Sequence, residues 1–480
     1  MKKSIYICAM AGLLLSASCK KSFLEIDPQQ QTDANLVIRD LPETRAAITG
    51  TYSLMQALTY YGRNTMVLPD LLSDNGFVSS VNQKRYLSYD QYIVTTTDGV
   101  ASDLWKQLYR VVVNANLLIS KAEANDYPEA DKAEAQFIIG EAYALRALAY
   151  FDLMRFYAMP YNYTADGSHL GVPVVIKSGV DNTQIISPKR NTAKEVYTQI
   201  IADFNKSMTL MTKSPIGFKS SMRGRMSYYG AEALLSRVQL YKGDWVAADS
   251  LATDVITKGG YALLSRASLI EESKKQNSTE AIFEIQYNIL DNLGSDALVN
   301  FYWQSGSYGD GLATEDLYKT YTASDVRRGF VPKGSRKNGE NPAYLITKYT
   351  NTTSYEEPVR VIRLAEVYLT RAEARAQQGL DALAAADIDV IAGRADAAAT
   401  AVTATGDALK TIVLNERRKE LAFEGHRLFD LTRNRLSFTK YLSGRTMAID
   451  KTDKRTILPI PQSEMNANGN MEQNDAYKIQ

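Results

Sequence analysis

Tyr241-Lys242-Gly243-Asp244-Trp245 joins two stretches, about 224–242 and 244–258, whose apolar residues recur at helical spacing, with Ala248 next on the inner face. A second copy of the arrangement follows. Leu364, Tyr368 and Ala372 fall on one helical face, Gln377-Gln378-Gly379 ends that helix, and Ala384-Ala385-Ala386 opens the next. Two helix–glycine–helix units predict a mainly α protein built from stacked helical pairs.

The turn resembles that of a tetratricopeptide repeat, in which glycine ends the first helix and alanine lets the second come close. Helical patterns also run from about Leu36 to Tyr60, from Ser102 to Ala122, from Ala133 to Tyr157 and from 191 to 212. In the third of these Tyr143, Tyr150 and Tyr157 recur every seven residues, a stripe assigned to the core. A long helix is predicted near 407–433. These elements make a tetratricopeptide-like scaffold with long irregular insertions and a few short strands.

The insertions differ in kind. Residues 62–100 are polar and aromatic and too long for a plain connection, which marks a candidate functional loop. Ala281 to Tyr287 alternates Phe283, Ile285 and Tyr287 with Glu284 and Gln286, the pattern of a half-buried strand. Residues 288–358 are rich in Gly, Asn, Asp, Ser and Tyr. Near the end, Leu458-Pro459-Ile460-Pro461 forbids helix and predicts an edge or irregular strand.

The N-terminus has Lys2-Lys3, an apolar run from Ile5 to Leu15, then Ser16-Ala17-Ser18-Cys19. This is the pattern of an export signal over 1–18, too short to span a membrane. The break before Cys19 resembles a bacterial lipobox, by which Cys19 is the lipidated first residue of the mature chain. Residues 19–35 then form an anchor and tether, reaching roughly 50 Å at about 3.3 Å per residue. Cys8 lies inside the leader, so the mature chain holds one thiol and no internal disulfide; its stability must come from a buried core.

Composition also excludes chemistry. The 480 residues carry 55 Lys+Arg against 54 Asp+Glu, and this balance argues against nucleic acid or an anionic membrane surface as partner. There are two histidines, His169 and His426, far apart, leaving little room for a His-rich metal centre. No cofactor is called for. The 30 tyrosines suit both moderately polar cores and surfaces that stack on sugar rings.

Five motifs in order give a resemblance. Phe23-Leu24-Glu25-Ile26-Asp27-Pro28, the helix Gly140 to Leu153, the strand Glu280 to Tyr287, the run Leu414 to Arg427 with Phe429-Asp430-Leu431, and Leu458 to Pro461 together resemble the SusD/RagB family of outer-membrane lipoproteins. The resemblance divides the chain into an N-terminal region, 36–265, with helical repeats and a C-terminal region, 266–480, with a ligand-loop insertion and the last repeat. It implies a non-catalytic glycan-binding lipoprotein on the outer face of the outer membrane, partnered by a SusC-like TonB-dependent transporter that imports the captured oligosaccharide. Some relatives handle peptides instead. A glycoside hydrolase is the rival of another class, since two carboxylates suffice, although no spacing here singles out a pair.

Sugar binding needs flat rings to stack on pyranose faces, with polar groups beside them to bond hydroxyls. By regional analogy with relatives, two segments offer that mixture. One contains Asp70, Asp74, Asn75, Arg85, Tyr86 and Tyr89; the other contains Tyr302, Trp303 and Tyr308. Trp105 and Trp245 are assigned to the core. Glu416, Glu420 and Glu424 fall at i, i+4 and i+8 among arginines, which reads as a structural ion-pair network rather than a catalytic cluster.

Overall fold

The computed structural model describes residues 38–177, 187–218 and 222–478. The predicted leader, Cys19 and the tether lie outside the described residues. The longer helices are α1 (Leu41–Gln56), α2 (Asn64–Leu71), α3 (Gly99–Ala122), α4 (Glu129–Tyr157), α5 (Ala193–Leu210), α6 (Tyr228–Lys242), α7 (Trp245–Lys258), α8 (Leu364–Gln377), α9 (Asp381–Ala395), α10 (Gly406–Glu420) and α11 (Arg427–Arg433). Helices dominate, as the periodicity requires. No described helix is long and apolar enough to cross a membrane.

Local chemistry sets the helix ends. Asp40, Asp98, Thr192 and Ser227 cap α1, α3, α5 and α6 through their side chains, and Thr192 forms a capping box with Glu195. At the α6–α7 turn, Gly243 has φ 85°. Its N–H donates to the Leu240 carbonyl at 3.2 Å and the Asp244 N–H to Gln239 at 2.9 Å. The α8–α9 turn repeats this geometry: Gly379 has φ 74°, its N–H bonds Ala376 at 3.3 Å, and the Leu380 N–H bonds Arg375 at 2.9 Å. Both turns are Schellman closures, which need the left-handed residue that glycine supplies.

The helices stack in chain order. α1 lies on α3 and α4, α4 on α5, α5 on α6, and α7 on α8, which carries α9 and α10. Thus the repeat stack continues across the 259–363 insertion. Ala248 is fully buried against Leu240 and Ala374, with Trp245 beside them. Three of the helix contacts also hold an arginine–carboxylate fork: Arg146 (α4) with Asp203 (α5) at 2.8 and 2.6 Å, Arg237 (α6) with Glu366 (α8) at 2.5 and 2.6 Å, and Arg371 (α8) with Asp387 (α9) at 3.0 and 2.6 Å. Tyr150 and Tyr157 are buried in the core as the stripe predicts, while Tyr143 is half-buried. Trp105 is buried on Tyr109 and Tyr157.

Three sequence expectations need correction. The helix predicted over 407–433 is two, α10 and α11. Phe423 (φ 63°) and Gly425 (φ 76°) turn the chain between them, and the buried Asp70 carboxylate accepts both of their N–H groups, at 3.1 and 3.2 Å. A Cβ at 425 would sit 2.4 Å from the Thr65 carbonyl oxygen, so glycine is required there. The strand predicted as half-buried, Ala281–Ile285, is buried on both faces, because Arg360 of the neighbouring strand covers and pairs with Glu284. Leu458–Pro461 forms no strand; it is a buried irregular segment held by the Leu458 N–H on the Phe156 carbonyl at 2.7 Å and by Gln473 on both polar groups of Ile460.

The strands are few and short. β1 (Gly76–Val78), β2 (Ala281–Ile285), β3 (Gly311–Ala313), β4 (Lys333–Gly334), β5 (Ala343–Tyr344), β6 (Val359–Arg363), β7 (Phe438–Leu442) and β8 (Arg445–Ile449) form one four-stranded sheet in the order β1-β3-β5-β4 and two antiparallel pairs, β2–β6 and β7–β8.

Candidate ligand surface

The four-stranded sheet brings the two candidate segments together. β1 pairs antiparallel with β3, Gly76 opposite Ala313 and Val78 opposite Gly311, and the Ser79 N–H extends the pairing to the Asp310 carbonyl at 2.8 Å. Chain segments some 230 residues apart in sequence therefore meet as loops 79–86 and 303–310 at one sheet edge, joined by loop 335–340.

Side chains that periodicity cannot reveal lock these loops. The Arg336 guanidinium donates to the Val81 carbonyl at 3.0 and 2.6 Å, to Gln304 at 2.9 Å and to the Tyr308 carbonyl at 3.0 Å, and pairs with Asp310 at 3.3 Å. The Glu340 carboxylate accepts from the Ser79 hydroxyl at 2.7 Å, the Ser80 N–H at 2.7 Å and the Ser443 hydroxyl at 2.8 Å. Burial pushes the Glu340 carboxyl up, but these bonds outweigh it and hold it below the ordinary glutamate value. Gly309, at φ 56°, lets the loop pass beneath Arg336. Only the Gly- and Asn-rich composition of 288–358 signalled this region; no spacing pointed to Arg336, Gln304, Asp310 or Glu340.

Of the nine candidate residues, six are buried in the fold. Asp70 is 1% exposed and accepts from Asn75 at 2.8 Å as well as from the 423–425 corner. Burial outweighs those bonds and raises its carboxyl to about 6. Asp74 receives a fork from Arg427 at 2.7 and 2.8 Å, and Asn75 accepts from Arg418 at 2.9 Å. Tyr86 donates to Asn64 at 2.5 Å and accepts from Arg63 at 2.9 Å. Tyr89 is buried, its hydroxyl on Asp98. Tyr302 is buried, stacked on Tyr349 with centroids 6.2 Å apart and edge-on to Phe423 at 5.5 Å.

Arg85, Trp303 and Tyr308 remain half-buried and open to solvent. Lys84 (φ 65°) and Tyr86 (φ 56°) both adopt left-handed backbone, so the chain reverses twice within three residues; Tyr86 turns into the core and Arg85 stays at the surface. There the Arg85 guanidinium lies over the Tyr308 ring, 3.4 Å from its centroid, joining the two candidate segments directly. Trp303 caps the short helix Leu298–Tyr302 and packs one side against the core. The stacked Arg85–Tyr308 pair and the half-buried Trp303 of the same loop form the candidate platform, with polar side chains around them.

The glutamate-rich run lies elsewhere. Arg363 at the end of β6 donates to Glu280 and Glu420, both at 2.6 Å, and to both oxygens of Glu424 at 2.8 Å. Arg327 pairs with Glu416 at 2.6 Å, Glu420 at 2.8 Å and Asp325 at 2.7 Å. Glu424 has left the helix, yet it joins the same buried seam. A pocket lined by Lys348, Tyr349, Glu357 and Arg360 opens beside it, but these charges are spoken for: Lys348 on Glu424, Arg360 on Glu284, and Glu357 on the Thr350 and Asn351 amides. Among the described residues no group of three or more His, Cys, Asp or Glu side chains could hold a metal ion.

Comparison with known proteins is consistent along the chain. Residues 300–477 match the SusD family, and residues 22–240 match the family described as starch-binding, associating with outer membrane. The crystal structure of a putative sugar-binding protein from Bacteroides vulgatus superposes with a TM-score of 0.82 at 29% identity, covering 93% of this chain and all of that one. The starch-binding protein SusD of Bacteroides thetaiotaomicron is 34% identical over 192 residues, which are 35% of this chain and 33% of that protein. A laminarin-binding SusD-like protein shares the fold at a TM-score of 0.73 and 22% identity, over 92% of this chain and 100% of its own. The chain belongs to the SusD/RagB family.

Proposed function

We propose that this protein captures oligosaccharides at the cell surface and passes them to a SusC-like TonB-dependent transporter, without chemistry of its own. The observation that carries this reading is that Trp303 and Tyr308 of one locked loop keep their rings half-exposed, with Arg85 stacked on Tyr308. Half-exposed rings on locked loops lose little entropy when a sugar stacks on them, and the guanidinium and amides beside them can bond hydroxyls. Two carboxylates of these loops, Asp310 and Glu340, are taken up in holding the loops together and so do not offer themselves as an acid and base pair. Names of relatives support a carbohydrate ligand, and the description of the matched family supports an outer-membrane location. A lipid on Cys19 would keep the protein there, because acyl chains contribute about 0.8 kcal/mol per buried CH₂.

Profiling on an array of glycans and peptides, with wild type and Trp303→Ala, tests the proposal. Wild type should bind glycans, and the variant should bind them at least tenfold more weakly, about 1.4 kcal/mol. Equal binding by the variant removes the site; binding of peptides alone removes the sugar. Sustained release of reducing ends by pure protein refutes the non-catalytic role.

A further inference from the structure

We propose that the captured oligosaccharide is acidic, bearing a carboxylate or a sulfate ester, and that Arg85 is the residue that reads it. The inference rests on the capture reading above and deepens it.

Arg85 is unlike the other arginines of the loop cluster. Arg336 pairs with Asp310, and Arg63 lies 3.5 Å from Asp296. Arg85 forms no ion pair among the described residues; its one hydrogen bond runs from Nη1 to the uncharged Gln83 amide oxygen at 2.8 Å. Its face rests on Tyr308. Stacking engages the flat face of a guanidinium and leaves its edge, so Nε and Nη2 are free to donate two parallel bonds to a planar carboxylate or to two sulfate oxygens.

The surroundings favour an anion over a neutral hydroxyl. Asp310 is fully buried and occupied by the Gln83 N–H at 3.1 Å and by Arg336. Glu340 is bound by three donors. Arg85 acts on Asp310 only through its charge at a distance, and among the described residues neither carboxylate forms a direct ion pair or hydrogen bond with it. Exposed Lys84 and Lys337 add positive charge to the same loops. The chain as a whole carries a formal charge of +1, so this excess is local and not a consequence of a basic protein. Held by its ring, the guanidinium also loses less freedom on binding than a mobile lysine would.

The test measures binding of oligogalacturonides against their carboxyl-reduced counterparts, and of sulfated oligosaccharides against their desulfated counterparts, by calorimetry. Wild type, Arg85→Gln, Arg85→Lys and Trp303→Ala are compared, with melting temperatures recorded for each. Wild type should bind one acidic series at least tenfold tighter than its neutral counterpart, with an affinity that falls as salt rises. Arg85→Gln should erase that preference with at most the small fall in melting temperature that loss of its ring contact brings, Arg85→Lys should restore part of it, and Trp303→Ala should weaken acidic and neutral ligands alike. The series that responds identifies carboxylate or sulfate. Equal affinity for acidic and neutral partners, or a preference that survives Arg85→Gln, overturns this inference and leaves glycan capture standing. Binding of neither series overturns both.

Discussion

The seam around Arg363 and the platform around Arg85 are built from the same residue types and do opposite things. In the seam, Arg363, Arg327 and Arg394 face Glu280, Glu416, Glu420 and Glu424, all nearly dry, and every charge has a counter-charge. On the platform, a guanidinium rests on a ring with its edge unpaired. Pairing costs a buried charge its availability, because removing it from water is tolerable only when partners replace the hydration. A charge left at the surface retains the capacity to bind something else.

The largest expected effect comes from breaking the seam. Arg363→Met leaves three carboxylates without their shared cation, and denaturant unfolding should show a loss of roughly 3–5 kcal/mol. A loss below about 1 kcal/mol would mean that the seam behaves like the surface and the contrast is false.

A smaller and pH-dependent effect belongs to His426. Burial lowers its imidazole to about 4, against the pull of Glu366, whose carboxylate lies 3.7 Å away; at neutral pH the ring is uncharged. In the unfolded chain the ring takes its proton near pH 6.5. Stability from this group is therefore complete above about pH 6.5 and is lost as pH falls towards 4, by about 3 kcal/mol at 1.36 kcal/mol per pH unit. His426→Gln should have a flatter stability curve than wild type between these limits. Glu424, held near 2 because Arg363 and Lys348 outweigh its burial, adds its own loss only as pH falls below about 4.5, so the two steps separate. Parallel curves for wild type and variant above pH 4.5 would contradict the assignment.

The smallest stability effect belongs to the platform. Tyr308→Ala removes the ring beneath Arg85 and should cost about 1 kcal/mol or less, measured as a shift in the urea midpoint, while weakening glycan binding. A stability loss as large as that of Arg363→Met would show that Tyr308 belongs to the core.

Much of the scaffold was legible because repetition reports on packing. Gly243 and Gly379 marked both helical turns, and small residues such as Ala248 and Ala372 marked the close faces. The helix over 407–433 was misread because its apolar and charged pattern continues through the break; what ends α10 is a bond from Phe423 and Gly425 to Asp70, some 350 residues earlier in the chain. The strand at Ala281–Ile285 alternates correctly, yet Glu284 is buried because of Arg360, which alternation cannot foresee.

The candidate site was legible as a region only. Composition and regional analogy named two loops, but of the residues named there Asp70, Asp74, Asn75, Tyr86, Tyr89 and Tyr302 face inward, and Arg85, Trp303 and Tyr308 are half-buried at the surface. Residue type alone cannot separate them. Sequence by itself determined the helical pairs, their turns and the family, since these follow from short-range spacing and backbone preferences. Tertiary structure decided which charges are spent and which are free, because that depends on partners brought together from hundreds of residues away and on the water that each group gives up.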